Sequence, residues 1–165
     1  MKPFVFMDIN GVLDPFLAKA EDIEDYEVVY SDWDNFRILK SHKVWLDELA
    51  TTAQLVWASS WMDDSNNLIS PVLGIGRLPY VDLSSSESGL SNFKLTGVLN
   101  FLKLNSVDKT KVNTPFVWFD DDFYDEDEIW LKDKIKAPFK LIKTDPRIGW
   151  TEQQKNDAIQ FLSEL

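Results

Sequence analysis

Three times the chain repeats one device, a short apolar run that stops abruptly at polar residues. "FVFM" (4–7) stops at Asp8, "LVWA" (55–58) at Ser59 and Ser60, and "FVWF" (116–119) at Asp120, Asp121 and Asp122. Apolar residues at successive rather than alternating positions mean that both faces of each strand are covered, the condition of a parallel sheet packed between helices. In an open sheet of that kind, ligands bind beyond the carboxyl ends of the strands, where these polar residues fall.

The segments between the runs fit the same architecture. Residues 3–9, 53–59, 115–119 and 139–143 read as core strands, and "LPYVDL" (78–83) as a further strand candidate. Leu95, Val98, Leu99 and Leu102 follow helical spacing and predict a helix lying on the sheet. A helix over about 42–49 places Trp45, Leu46 and Leu49 on one face; shorter helical segments are expected at 66–69, ending near Pro71, and at about 127–135. Thr151 and Gln154 stand in capping-box spacing before a last helix whose inward stripe is Ala158, Leu162 and Leu165. Residues 14–40 hold an acidic piece (Glu21, Asp22, Glu24, Asp25) and the β-rich "YEVVYS", room for a hairpin flap; "SSSESGLS" (84–91) is a polar loop. The expected fold is α/β and Rossmann-like, a three-layer sandwich with a mainly parallel sheet. Residues 1–165 form one domain, with 14–40 as flap and connection.

Composition narrows the chemistry. With no cysteine and a single histidine, His42, thiolate nucleophiles, disulfides and His- or Cys-rich metal sites are excluded. A formal charge of -11 argues against a sequence-independent grip on nucleic-acid phosphates. No apolar run is long enough for a signal peptide or a membrane span, so a cytoplasmic protein, and a monomer, is expected.

Four polar signals follow strands or open a helix: Asp8, the pair Ser59 and Ser60, Lys94, and the run 120–122. Singly, each has a bland reading as a turn, cap or solvated residue. Their order is more specific. "FVFMDINGVLDP", then "LVWASS", then Lys94, then "FVWFDDD" resembles the four motifs of the haloacid dehalogenase (HAD) superfamily, over nearly the whole chain. The closest likeness is to small HAD-like proteins with a Trp after the second motif and a "TDPRIGWT"-like segment before the final helix. A response-regulator receiver domain uses similar residues, but its acidic pair follows the first strand and its lysine comes last.

The resemblance implies a phosphohydrolase in which Asp8 is the nucleophile. Mg2+ is then held by Asp8, the main-chain carbonyl of Asn10, and Asp120 or Asp121. Ser59, with Ser60 as runner-up, contacts a phosphoryl oxygen, Lys94 supplies positive charge, and Gly11 allows close backbone approach to the phosphate. Asp122, Asp125, Glu126, Asp127 and Glu128 are mostly assigned to solvent.

Asn10 departs from the pattern, since these phosphatases usually carry there an aspartate that protonates the leaving group. An amide cannot do so, at a cost of roughly 10² to 10⁴ in rate. Four readings compete: a slow phosphatase, a binding module without turnover, an exchange introduced to trap a complex, or a natural use of another group.

Neither 14–40 nor 61–92 is long enough for a full cap domain, so the site should be open. That suits a large or flat phosphorylated substrate, a polynucleotide end or a phosphoprotein, and the acidic charge disfavours the polynucleotide. Trp61, Tyr30 and Trp33 could stack on a base, but packing the flap against the core is the plainer expectation. Asp145 and Arg147 are expected at the rim or in a turn, and His42 at the surface.

Overall fold

The computed structural model describes residues 2–23, 25–84 and 89–165; Met1, Glu24 of the acidic piece and residues 85–88 of the polar loop lie outside the described residues. Strand β1 (Phe4–Met7) is followed by a 3-10 turn (Ala20–Asp22) and the hairpin β2 (Tyr26–Tyr30) and β3 (Asn35–Leu39). Next come α1 (Ser41–Thr52), β4 (Gln54–Trp57), the short α2 (Asp64–Leu68) and α3 (Ser70–Leu73), and α4 (Leu95–Leu104). The chain ends with β5 (Phe116–Asp120), α5 (Asp125–Lys134), β6 (Phe139–Lys143) and α6 (Glu152–Ser163).

The central sheet has the order β4-β1-β5-β6, and every pairing in it is parallel. Residue alternation sends the two sides of each strand into separate cores. Val5, Met7, Leu55, Trp57, Val117 and Phe119 join Leu46, Leu49, Ala158 and Leu162 of α1 and α6 on one face. Phe4, Phe6, Val56, Phe116 and Trp118 meet Val98, Leu102 and Leu131 of α4 and α5 on the other. This is the expected three-layer α/β sandwich. The antiparallel β2–β3 hairpin forms its own two-stranded sheet, the small flap expected within 14–40. Among the described residues, no helix is long and apolar enough to cross a membrane.

Five local expectations need correction. "LPYVDL" is not a strand: it touches β4 at one parallel bridge, Trp57 to Tyr80, because Pro79 has no N–H to extend a ladder. Pro71 does not end the helical segment but sits in the first turn of α3, where its missing N–H costs nothing. Leu165 lies beyond the end of α6 and is exposed. His42 is fully buried, because α1 begins at Ser41 and its inward positions are His42, Leu46 and Leu49. There its ring packs at a tilt against Trp45 and Trp150, with centroids 5.2 and 5.4 Å away. Finally, Tyr30 and Trp33 do not pack the flap onto the core; they are 75% and 88% exposed, and that role falls to Trp61, whose ring meets Phe36 of β3 edge-on at 5.0 Å.

Candidate active site

Between β1 and its neighbours the chain reverses direction across the sheet: β4 lies to one side of β1, and the next core strand, β5, to the other. A crevice opens at such a switch point. Asp8 directly follows β1 and Asp120 ends β5, and alternation places both on the face that carries Phe6 and Trp118. Helix α4 packs on that face. Its preceding residue, Lys94, therefore reaches both strand ends, with Nζ 2.5 Å from Asp8 Oδ2 and 2.7 Å from Asp120 Oδ2.

The remaining carboxylate oxygens are also engaged. Asp8 Oδ1 accepts from the Ile9 N–H (2.7 Å) and Asp120 Oδ1 from the Asp122 N–H (3.0 Å). Asp121 joins the pair, and one oxygen from each of Asp8, Asp120 and Asp121 lies within 4.8 Å of the others. Gly11, at φ +77°, borders this group; a Cβ there would collide with the Asp121 carboxyl, so residue 11 must be glycine for both reasons.

Three carboxylates against one ammonium leave the cluster with surplus negative charge. Its titration reflects burial first and that surplus second. Burial and then the charge of Asp8 raise the pKa of Asp120, although Lys94 opposes them. Burial and then Asp120 raise Asp121. Burial works against the charge on Lys94, yet the flanking Asp8 and Asp120 carboxylates outweigh it and its pKa is raised. An all-oxygen, net-anionic donor set of this kind fits a hard divalent cation such as Mg2+, with Asp8, Asp120 and Asp121 as the side chains able to hold it.

The two serines of the second motif are distinguished by burial. Ser59 is buried and its hydroxyl has no hydrogen-bond partner among the described residues, whereas Ser60 is exposed. Asn10 is fixed by a bond that its sequence does not announce: Trp61 Nε1–H donates to Asn10 Oδ1 at 2.9 Å. Since an indole nitrogen only donates, the amide oxygen faces Trp61 and the amide NH2 faces away.

Several supporting residues lie outside the four motifs. Asp127, expected in solvent, is fully buried and accepts from Ser91 Oγ, the Asn92 N–H (3.2 Å) and the Tyr124 N–H (2.8 Å). Asn92 in turn accepts from the Lys94 N–H (2.9 Å) and donates to Asp122 O (3.0 Å). The lysine is thus held from behind by a network that ties α5 to the start of α4. Its available signal was the position of Asp127 at the third residue of a helix, where a carboxylate satisfies free N–H groups. On the other side, Thr144 Oγ1 donates to Gly11 O (2.7 Å) and the Trp150 N–H to Val12 O (2.7 Å). The "TDPRIGWT" segment therefore braces the loop after β1. Asp145 and Arg147 pair with each other at 2.7 Å, an exposed turn rather than a contact with the carboxylates.

No curated protein gives a significant match to this sequence. A family model matches residues 4–155, and it is the one described as the HAD domain in Swiss Army Knife RNA repair proteins. With matched motifs, parallel sheet and clustered carboxylates in agreement, the chain belongs to that family and so to the HAD superfamily.

Proposed function

We propose that this domain is a Mg2+-dependent phosphomonoesterase that carries the phosphoryl group on Asp8 and turns over slowly because residue 10 is an amide. Its membership of a HAD family supports a phosphohydrolase-type function. The observation that carries the finer reading is the convergence of Asp8, Asp120 and Asp121 around Lys94, near the rim where Ser59 keeps a buried, unpartnered hydroxyl.

Mg2+ held by Asp8, Asp120, Asp121 and the Asn10 carbonyl would offset the repulsion between Asp8 and an anionic phosphate. An Asp8 carboxylate oxygen attacks phosphorus in line, and the bond to the substrate oxygen breaks as the new P–O bond forms. Lys94 and the Ser59 hydroxyl stabilise the phosphoryl oxygens. The leaving oxygen takes its proton from solvent, because the Asn10 amide has none to give. Water then attacks phosphorus, which releases inorganic phosphate and restores the Asp8 carboxylate. Without a positioned acid–base group both steps are slower, together by about 10² to 10⁴.

The hold of Trp61 on Asn10 favours a second reading, a phosphate-binding module without turnover. One assay separates the two. Hydrolysis of an aryl phosphate with and without Mg2+ is compared for the native chain, Asn10→Asp and Asp8→Ala. An aspartate at 10 can accept the same Trp61 bond, so Asn10→Asp should gain about 10² to 10⁴ in kcat, all of it lost in Asp8→Ala. If Asn10→Asp is no faster than Asp8→Ala, the domain binds without hydrolysing. As substrate, the family's description and a site that among the described residues carries a hairpin flap and no cap domain together support a phosphorylated RNA end. We also propose that the domain acts as a monomer in the cytoplasm.

A further inference from the structure

The flap ends in two aromatic side chains that the core does not use. Tyr30 and Trp33 are 75% and 88% exposed, more than any other aromatic side chain among the described residues. They are held in place by the turn between β2 and β3, where Ser31 Oγ accepts from the Asp34 N–H (2.9 Å) and donates to Asp34 O (2.7 Å). Together with Trp61 they line an open cleft of about 300 Å³. Trp61 is also the residue that bonds Asn10, so one wall of this cleft is tied to the loop that follows Asp8.

Its polar lining is acidic. Asp32, Asp64 and Asn67 border it, and among the described residues no lysine or arginine does. Arg77, close by, is already paired with Asp63 at 2.6 Å and donates to Asn67 Oδ1. A cleft of this kind repels phosphates but offers flat ring faces and carboxylate acceptors. A flat heterocycle carrying amino donors satisfies both features at once. We propose that the cleft between the flap tip and Trp61 is a nucleobase subsite, which holds the terminal base of a phosphorylated nucleotide or RNA end while its phosphate lies at Asp8.

The inference rests on the phosphatase reading and adds to it how an acidic protein recognises a nucleic-acid end. A net charge of -11 argues against a backbone grip built from clustered cations, whereas stacking on aromatic rings needs none. Recognition is then confined to the terminal nucleotide, and the remainder of the strand stays in solvent.

The test is calorimetric, so it does not depend on turnover. The full chain is titrated in Mg2+ with inorganic phosphate, ribose 5-phosphate, adenosine 5′- and 3′-monophosphate, and an arginine-containing phosphoserine peptide. The better adenylate should bind at least about tenfold more tightly than ribose 5-phosphate. In Tyr30→Ala/Trp33→Ala that ratio should fall to within about twofold, and in Tyr30→Phe/Trp33→Phe, which keeps the ring faces, it should persist. Equal affinity for adenylate and ribose 5-phosphate overturns the subsite and leaves the phosphate site standing. A preference that survives the double alanine variant places the base elsewhere and also overturns it. Tighter binding of the peptide assigns the cleft to a phosphoprotein instead. If even inorganic phosphate fails to bind, the phosphatase reading falls and takes this inference with it.

Discussion

The ends of β1 and β5 carry the same short word, an apolar run that stops at aspartate, and the same lysine joins them. Two residues further on they diverge. After β5, Asp122 offers its N–H back to Asp120 and its carbonyl to Asn92, so that end is tied to α4 and α5 by backbone groups. After β1, Asn10 is tied through its side chain to Trp61, and the loop beyond is braced by Thr144 and Trp150. The β5 end is therefore built to place charge. The β1 end is built to hold residue 10 still, although an amide there cannot move a proton.

Removing the shared lysine tests both ends together and should have the largest effect. In Lys94→Met, Asp8 and Asp120 remain buried with no counter-charge, at a cost of about 3 to 5 kcal/mol in urea unfolding. Adding Asp120→Asn should recover part of that loss; no recovery would mean that the two carboxylates do not oppose each other.

The brace behind β1 is pH-sensitive through His42, whose Nε2 lies 3.2 Å from Trp150 O. Burial lowers its pKa from 6.5 to about 4, while the unfolded chain protonates near the ordinary value. Unfolded molecules thus bind more protons in this window, so the stabilisation is full above pH 6.5 and is lost as pH falls toward 4. The difference amounts to about 3 kcal/mol. Comparison of native protein with His42→Phe isolates it from the carboxylates that titrate in the same range. Parallel pH profiles would show that the imidazole does not contribute.

The brace behind β5 should be weaker to break. Asp127→Asn keeps the shape but turns an acceptor-only group into one with donors facing two N–H groups and a hydroxyl. A loss of about 1 to 3 kcal/mol in thermal or urea unfolding is expected, with weakened phosphate binding through Lys94. Stability within about 0.5 kcal/mol of native would show the network to be incidental.

How much of this could be read in the chain follows the same contrast. Strands buried on both faces, the α4 stripe and the Thr151 cap were legible because period and capping chemistry are local. The motif order also pointed to Asp8, Lys94, Asp120 and Asp121 before any geometry was at hand. Ser59 and Ser60 could not be separated, since burial is decided by tertiary packing. His42 was misplaced because one polar residue at a helix start outweighed its spacing to Leu46 and Leu49. Asp127 is hidden within the acidic run 125–128, whose other members, Asp125, Glu126 and Glu128, are exposed. The exposure of Tyr30 and Trp33 was equally hidden, as aromatic residues in a β-rich segment ordinarily pack inward.

The claim on which the rest depends is that one divalent cation sits between the ends of β1 and β5. Calorimetric titration of the native chain with MgCl2 tests it directly. The account predicts a single site per chain that is abolished in Asp8→Ala and in Asp120→Asn and retained in Asn10→Asp. Binding that survives both carboxylate substitutions, or no binding to the native chain, would contradict it.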